Sequence, residues 1–271
     1  MAVEYVLWHY TPSLIAAIVM CSVFAIVTAV HLFFLIRSRA RFCIPFVIGG
    51  IFEAVGYGAR AVAHYNTKAT MPYAIQSLLI LLGPILFAAS IYMILGRLIR
   101  CTNCEKHSLI PAKWMTKVFV GGDVTCFIIQ GAGGGVMSGA KSQKTIDLGE
   151  NIILAGLCFQ ILVFALFVIV AARLHLRARH DLVSAETQVP WQRYLFLLYL
   201  VSALITARNI FRVVEYAWGS DGYLLRHEWT LYICDAMQMA LVLIVCLTWY
   251  SCNFEVAPPA PLNERESKAA V

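Results

Sequence analysis

The chain has 271 residues, 61% hydrophobic and 13% charged, with a mean hydropathy of +0.76 and a formal net charge of +6. An ordinary soluble globular domain is excluded, since its apolar share sits near roughly half and its charged share near about a quarter. The connections between apolar stretches are short, which leaves no room for a soluble catalytic domain, and the excess of positive charge is accounted for by membrane topology rather than by nucleic acid.

Residues 1–10 are nearly neutral and lack the basic region and small-residue cleavage site of a secretory signal, so the apolar stretch that follows is expected to remain as a helix. A crossing needs about 20 mainly apolar residues. Seven stretches qualify, at 13–36, 43–64, 74–99, 115–138, 151–173, 194–216 and 229–250. The expected fold is all-α: a polytopic membrane protein with a bundle of seven transmembrane helices in one domain, residues 1–250. A disordered cytosolic tail, 251–271, carries Pro258, Pro259, Pro261 and mixed charges. Basic residues gather after the first, third and fifth stretches (Arg37, Arg39, Arg41; Arg97, Arg100, Lys106, Lys113, Lys117; Arg173, Arg177, Arg179, Arg193) and in the tail (Arg265, Lys268). The alternate side holds Lys68, Lys141, Lys144 and Arg226. Cytoplasmic loops collect Lys and Arg, so the amino terminus is expected outside and the carboxyl terminus in the cytosol.

Four stretches carry ionisable or polar groups at helical spacing. In the second, Glu53 and Arg60 lie seven residues apart with Gly56 and Tyr57 between them; the fourth has Asp123 and Gln130. The sixth has Arg208, Arg212 and Glu215, and the seventh Glu228, Tyr232 and Asp235. Each set falls on one helix face. A charge at mid-bilayer costs about 2.5–3.5 kcal/mol on insertion scales, so these groups are expected to point inward. Under the inferred orientation most of them lie in the outer half, with Glu53 near the middle and Asp123 deeper. The set is near neutral, which suits register-fixing ion pairs as well as binding of a headgroup carrying both charges.

The remaining features have structural readings. His31 reads as a satisfied interior histidine; no second mid-span histidine offers a two-histidine haem site. Gly131, Gly135 and Gly139 form small-x-x-x-small spacings expected to bring helices close. Gly83-Pro84 is expected to kink the third helix and free a backbone carbonyl. Trp8, Tyr73, Trp114, Trp191, Trp218 and Trp249 read as interfacial anchors. Nine cysteines, mostly within spans, imply no disulfide framework, and Cys101-x-x-Cys104 lacks a second ligand pair for zinc. Ile51–Tyr57 and Ile210–Tyr216 share Ile, Phe, Val and Tyr at matching positions, either a chance match between apolar stretches or the mark of a three-plus-one-plus-three repeat, in which the first three spans would superpose on the last three.

Taken together, the motifs resemble the fungal lipid-translocating exporters, the RTA-like proteins named for resistance to aminocholesterol. They run in order across the chain: Tyr10-x-Pro12-Ser13, His31, Glu53-x-x-Gly56-Tyr57-x-x-Arg60, Leu82-x-Pro84, Ala88-Ala89-x-Ile91-Tyr92 and Gly96-Arg97. Asp123, Gln130-Gly131-x-Gly133-Gly134, Gly156-Leu157-x-x-Gln160, Arg208-x3-Arg212-x2-Glu215 and Glu228-x3-Tyr232-x2-Asp235 follow. The resemblance implies a seven-helix protein of the plasma membrane or an endomembrane, linked to export or flipping of amphipathic lipids and to resistance against membrane-active compounds. The short amino-terminal segment departs from longer, glycosylated members, since no N-x-S/T sequon occurs.

The function expected is a transporter, exporter or flippase-like translocator of an amphipathic lipid or lipid-like toxic compound. Its headgroup would be handled by Glu53, Tyr57, Arg60, Asp123, Gln130, Arg208, Arg212, Glu215, Tyr232 and Asp235, with no cofactor and no metal. The acids suit a cationic amine and the arginines an anionic group. No nucleotide-binding G-x-x-x-x-G-K-S/T occurs, so ATP is not the direct driver, and proton coupling through Glu53 or Asp123 is a route that a pH-independent rate would exclude. The alternative is a seven-helix stress sensor or receptor-like protein without transport activity. Leu95-Gly96-Arg97 stands where a G-protein-coupled receptor carries acid-Arg-Tyr, and the seventh stretch has no lysine for retinal. An enzyme is not expected, because no nucleophile-base pair or histidine metal cluster accompanies the acids.

Overall fold

The computed structural model describes residues 11–67, 69–101, 111–140, 142–184, 191–218 and 227–251. The expectations placed on residues 1–10, Trp8, Lys68, Cys104, Lys106, Lys141, Arg226 and the tail beyond 251 lie outside them. Among the described residues there are seven helices and no strand: α1 (Leu14–Ser38), α2 (Ile44–Ala63), α3 (Thr70–Cys101), α4 (Ala112–Ser138), α5 (Gln143–Ser184), α6 (Trp191–Ala217) and α7 (Glu228–Tyr250). All but α4 are long and apolar enough to cross a bilayer. At 27 residues α4 has the length, and its glycines, Asp123 and Gln130 lower its hydropathy. The protein is an integral, multi-pass helical membrane protein.

Local chemistry sets the boundaries. Ser13 caps α1, its side chain accepting from the Ala16 amide at 3.4 Å. Arg39 ends that helix in the left-handed region at φ 51°, which lets a short 3-10 turn, Arg41–Cys43, lead straight into α2 with a proline in its first turn. Helix α5 runs for 42 residues, well past the apolar stretch at 151–173, because no proline interrupts 143–184 and helix-forming residues continue on both sides. Helix α7 is not uniform. It is α-helical over Glu228–Leu231 and Met237–Cys246, π-helical over Tyr232–Ala236, and runs into a 3-10 turn at Leu247–Ser251.

Sequence neighbours pack in order from α1 to α7, and α7 returns against α1 to close the ring, while α3 also reaches α6. Helix α3 is the most buried span and α1 the least. Ile15, Ile26 and Ile36 on α1 are exposed to 78, 65 and 71%, a perimeter suited to lipid and not to water. One core cluster extends from Met20 to Tyr250, with a small satellite of Met137, Ala140, Ile146, Ile153 and Leu157 between α4 and α5.

Close helix approaches use other glycines than the sequence spacing suggests. Gly131 and Gly135 have nothing near the position of a side chain, and Gly139 meets only the Gly135 carbonyl of its own helix turn. The α4–α5 seam is instead made by Gly133, where a Cβ would sit 2.8 Å from the Gly149 carbonyl, and by Gly156 against Gln130. The seam follows the buried stripe Cys126, Gln130, Gly133 and Met137, and the other three glycines lie off that stripe. The aromatic anchors divide likewise. Trp114 and Trp218 are exposed, while Trp191 and Trp249 are core residues, Trp249 packing on Phe46 with ring centroids 5.7 Å apart.

Candidate functional site: a charged cluster between α2, α3, α6 and α7

The α2 face that carries Glu53 and Arg60 is cut by glycines. Gly49, Glu53, Gly56 and Arg60 recur at helical spacing, and each is buried. A side chain at Gly49 would collide with Phe87 and the Gly83 carbonyl, and one at Gly56 with Ile80. Helix α3 can therefore lie directly on α2, and the Glu53 carboxyl fills the space above Gly83, with Oε1 2.5 Å from where a Cβ would stand.

Pro84 then acts on α6. Proline has no N–H, so the Ile80 carbonyl one turn earlier loses its helical donor. Arg208 supplies the missing bond, its Nη2 donating to Ile80 O at 3.0 Å. The same guanidinium donates through Nε to Asp235 Oδ1 at 2.5 Å, and Arg212 donates through Nη2 to Asp235 Oδ2. Arg212 also donates to Glu215 Oε2 at 2.9 Å, one turn on. Asp235 sits inside the π turn, which places its carboxylate between the two arginines. Burial is nearly complete: Arg208 and Glu53 are 1% exposed and Asp235 0%.

A second group lies where α1 begins, α2 ends and α7 begins. Arg60 donates to Glu228 Oε1 through Nη2 at 2.8 Å and through Nε at 3.1 Å, and Nε also reaches the Tyr232 hydroxyl at 3.1 Å. Tyr232 donates to Glu228 at 3.2 Å. The Glu228 carboxylate accepts from the Ser13 backbone amide as well, at 3.0 and 2.8 Å, and His64 Nδ1 donates to the Pro12 carbonyl at 2.7 Å. The entry to α1 is thus strapped to α2 and α7 by charged groups.

Glu53 and Tyr57 sit between these two groups. The charges that reach Glu53 are Asp235, Arg208 and Arg212, and those reaching Tyr57 include Asp235, Glu53, Arg212 and Arg60. Yet neither Glu53 oxygen nor the Tyr57 hydroxyl has a hydrogen-bond partner. Tyr57 is held by its ring, stacked on Phe24 at 5.5 Å.

Eight of the ten expected site residues are brought together in this way: Glu53, Tyr57, Arg60, Arg208, Arg212, Glu215, Tyr232 and Asp235. Asp123 and Gln130 are placed elsewhere. Helix α4 packs on α3 and α5, so Asp123 accepts from the Tyr92 hydroxyl at 2.8 Å, and Gln130 donates to Gln160 at 3.0 Å. Tyr92 is nine residues beyond Gly83, about 13 Å along the α3 axis. A ring of Phe119, Phe164 and Phe167 surrounds it, the nearest centroid at 4.6 Å. The single inward cluster expected of all four stripes is therefore three stripes plus a separate α3–α4–α5 seam. Glu228 is the residue the expected set omits; its spacing from Tyr232 and Asp235 marks it, and its contact with Ser13 across the chain has no local signal.

His31 is satisfied as expected. Nε2 donates to the Leu243 carbonyl at 2.9 Å and Nδ1 takes the Tyr250 hydroxyl at 3.2 Å. Among the described residues no group of three or more His, Cys, Asp and Glu could hold a metal, and Cys21, Cys126, Cys158, Cys234 and Cys246 are not in disulfides.

Residues 46–255 match the family model described as RTA1 like protein. The chain is 38% identical to protoporphyrin uptake protein 1 of Saccharomyces cerevisiae, over 89% of its own length and 90% of that protein's. It is 41% identical to protein RTM1 of the same species, over 78 and 67% of the two chains, and 25% identical to a sphingoid long-chain base transporter, RSB1, over 86 and 70%. No solved structure matches. A family match over most of the chain, joined to relatives at this identity, shows that the protein belongs to the fungal RTA1-like family of membrane proteins.

Proposed function

We propose that the protein translocates an amphipathic, lipid-like molecule across or between the leaflets of a membrane, with the headgroup passing the charged cluster of α2, α6 and α7 while the apolar body stays in lipid. The observation that carries this reading is a dense set of buried charges with one uncompensated carboxyl, Glu53, inside a bundle whose perimeter is apolar. A network serving helix register alone has no use for a buried acid left without partners, since such a group costs stability. The relatives named for uptake of protoporphyrin and transport of sphingoid long-chain bases handle molecules of this build, a large apolar body with ionisable groups.

In this reading α4 is the seventh crossing. Its polar groups are sealed against α3 and α5; seven crossings put the termini on opposite sides, and the Lys- and Arg-rich loops would then set the tail in the cytosol, with the amino terminus and the strapped α1 entry at the outer face. The plasma membrane is the expected site. Transport needs no cofactor or nucleotide site in this chain, and the protein is not an enzyme. A competing reading, a membrane stress sensor without transport, draws on the completeness of the ion pairing around Asp235, which suits a two-state switch. Transfer of a fluorescent long-chain base and a fluorescent phospholipid in liposomes containing the purified protein decides between them. Protein-dependent transfer supports translocation, and equal rates in empty and loaded vesicles for both lipids support the sensor.

A further inference from the structure

The charges of the cluster do not cancel around Glu53. Arg208 and Arg212 face Asp235 and Glu215, two against two, and Arg60 faces Glu228. Each guanidinium is engaged by a carboxylate, so the arginines have no idle charge for an anionic headgroup. Glu53 is the acid left over. Both of its oxygens are buried without a partner, as are the hydroxyls of Tyr57, one turn along α2, and Thr28, which packs on Gly50 from α1. At this level α3 presents Gly83, α6 presents Arg208 and Arg212, and α7 presents Asp235. A lone carboxylate here would be buried beside another carboxylate and beside arginines already committed to it. Charge balance is met only by a proton on Glu53 or by a cationic group against it.

Resting on the translocator reading, we infer that Glu53 is an exchange site: it holds a proton when no cargo is bound and yields it when an ammonium headgroup arrives. The O–H bond of the Glu53 carboxyl breaks, the proton leaves to water, and the carboxylate pairs with the incoming ammonium, which has the unpartnered Tyr57 hydroxyl oxygen one turn along α2 as a second acceptor. The site then selects cations over phosphates, and cargo movement is coupled to a proton moving the other way.

The experiment uses the full-length protein in nanodiscs in weakly buffered medium with a pH-sensitive dye. The probes are a long-chain primary alkylamine and the matching alkyl phosphate. Between about pH 5.5 and 7.5 the amine stays fully charged, as a lysine of ordinary pKa near 10.4 does. One proton is expected to be released per bound amine, and amine affinity is expected to rise about tenfold per pH unit, because proton loss favours the bound state. The phosphate is expected to bind more weakly and release none. Glu53→Gln, which lacks the carboxylate that pairs with the ammonium, is expected to bind the amine about tenfold more weakly or worse, with no proton release and no pH dependence, its thermal unfolding confirming that it is folded. Amine binding to the wild-type protein without proton release, pH-independent affinity, phosphate bound as tightly as amine, or no amine binding at all would each overturn the inference. The wild-type measurement stands even if the variant fails to fold. Lipid transfer in liposomes without proton release sinks the exchange alone, whereas proton release without transfer sinks the transport reading alone.

Discussion

Asp235→Asn removes the one carboxylate shared by the buried Arg208 and the part-buried Arg212. Arg212 keeps Glu215, but Arg208 is left with only the Ile80 carbonyl. Breaking a buried ion pair by removing one partner costs about 3–5 kcal/mol, because the remaining charge is stranded. The asparagine oxygen still accepts one hydrogen bond, which recovers about 1 kcal/mol, so the net loss is roughly 2–4 kcal/mol. For a domain of this size each kcal/mol moves the midpoint by about 2–4 °C, so unfolding is expected roughly 5–15 °C lower. Thermal unfolding in nanodiscs, followed by loss of the monodisperse peak, reads this directly. The double variant Arg208→Met with Asp235→Leu removes both charges, leaves Arg212 with Glu215, and is expected to regain most of the loss. A shift below about 2 °C for Asp235→Asn would refute the reasoning, since the stranded arginine would then cost less than about 1 kcal/mol.

Three further outcomes are expected. Pro84→Ala returns an N–H to the Ile80 carbonyl, so Arg208→Ala should cost less in that background than alone, with a coupling of about 0.5–3 kcal/mol in a double-mutant cycle; strict additivity would show that Arg208 does not replace the missing helical bond. Gly133→Ala forces a Cβ against the Gly149 carbonyl and is expected to lower the unfolding temperature, whereas Gly131→Ala meets open space and is expected to be neutral or stabilising by about 0.4–1 kcal/mol; equal effects in thermal melts would contradict the assigned seam. Glu228→Gln loosens the strap on α1, so amide exchange in the first turn of that helix should rise while exchange in α4 and α5 does not change.

Much of this architecture is legible in residue order. The seven helices lie at the seven stretches read from the sequence, six of them apolar enough for a crossing and α4 diluted by its glycines and polar groups, and Arg208, Arg212 and Glu215 share a face because the period of α6 is undisturbed. The freed carbonyl before Pro84 could be expected from proline chemistry, although nothing local announces that an arginine more than a hundred residues away would take it. Asp123 marks the limit of periodicity, which says that a stripe is buried but not against which helix. The order of packing decides that, and α4 lies behind α3, away from the charged cluster. The π turn is equally silent in sequence, and a uniform 3.6-residue period misplaces Asp235 relative to Glu228. The inner tryptophans differ from the exposed ones through packing alone, as Trp249 against Phe46 illustrates.

The central claim is that cargo passes the cluster of α2, α6 and α7 and not the Asp123 seam. The direct measurement is transfer of a fluorescent long-chain base in liposomes holding wild-type protein, Glu53→Ala, Arg212→Ala or Asp123→Asn, each verified as folded. The account predicts protein-dependent transfer that is lost in the Glu53 and Arg212 variants and retained in Asp123→Asn. Transfer that persists in both cluster variants, or that fails only in Asp123→Asn, would contradict it.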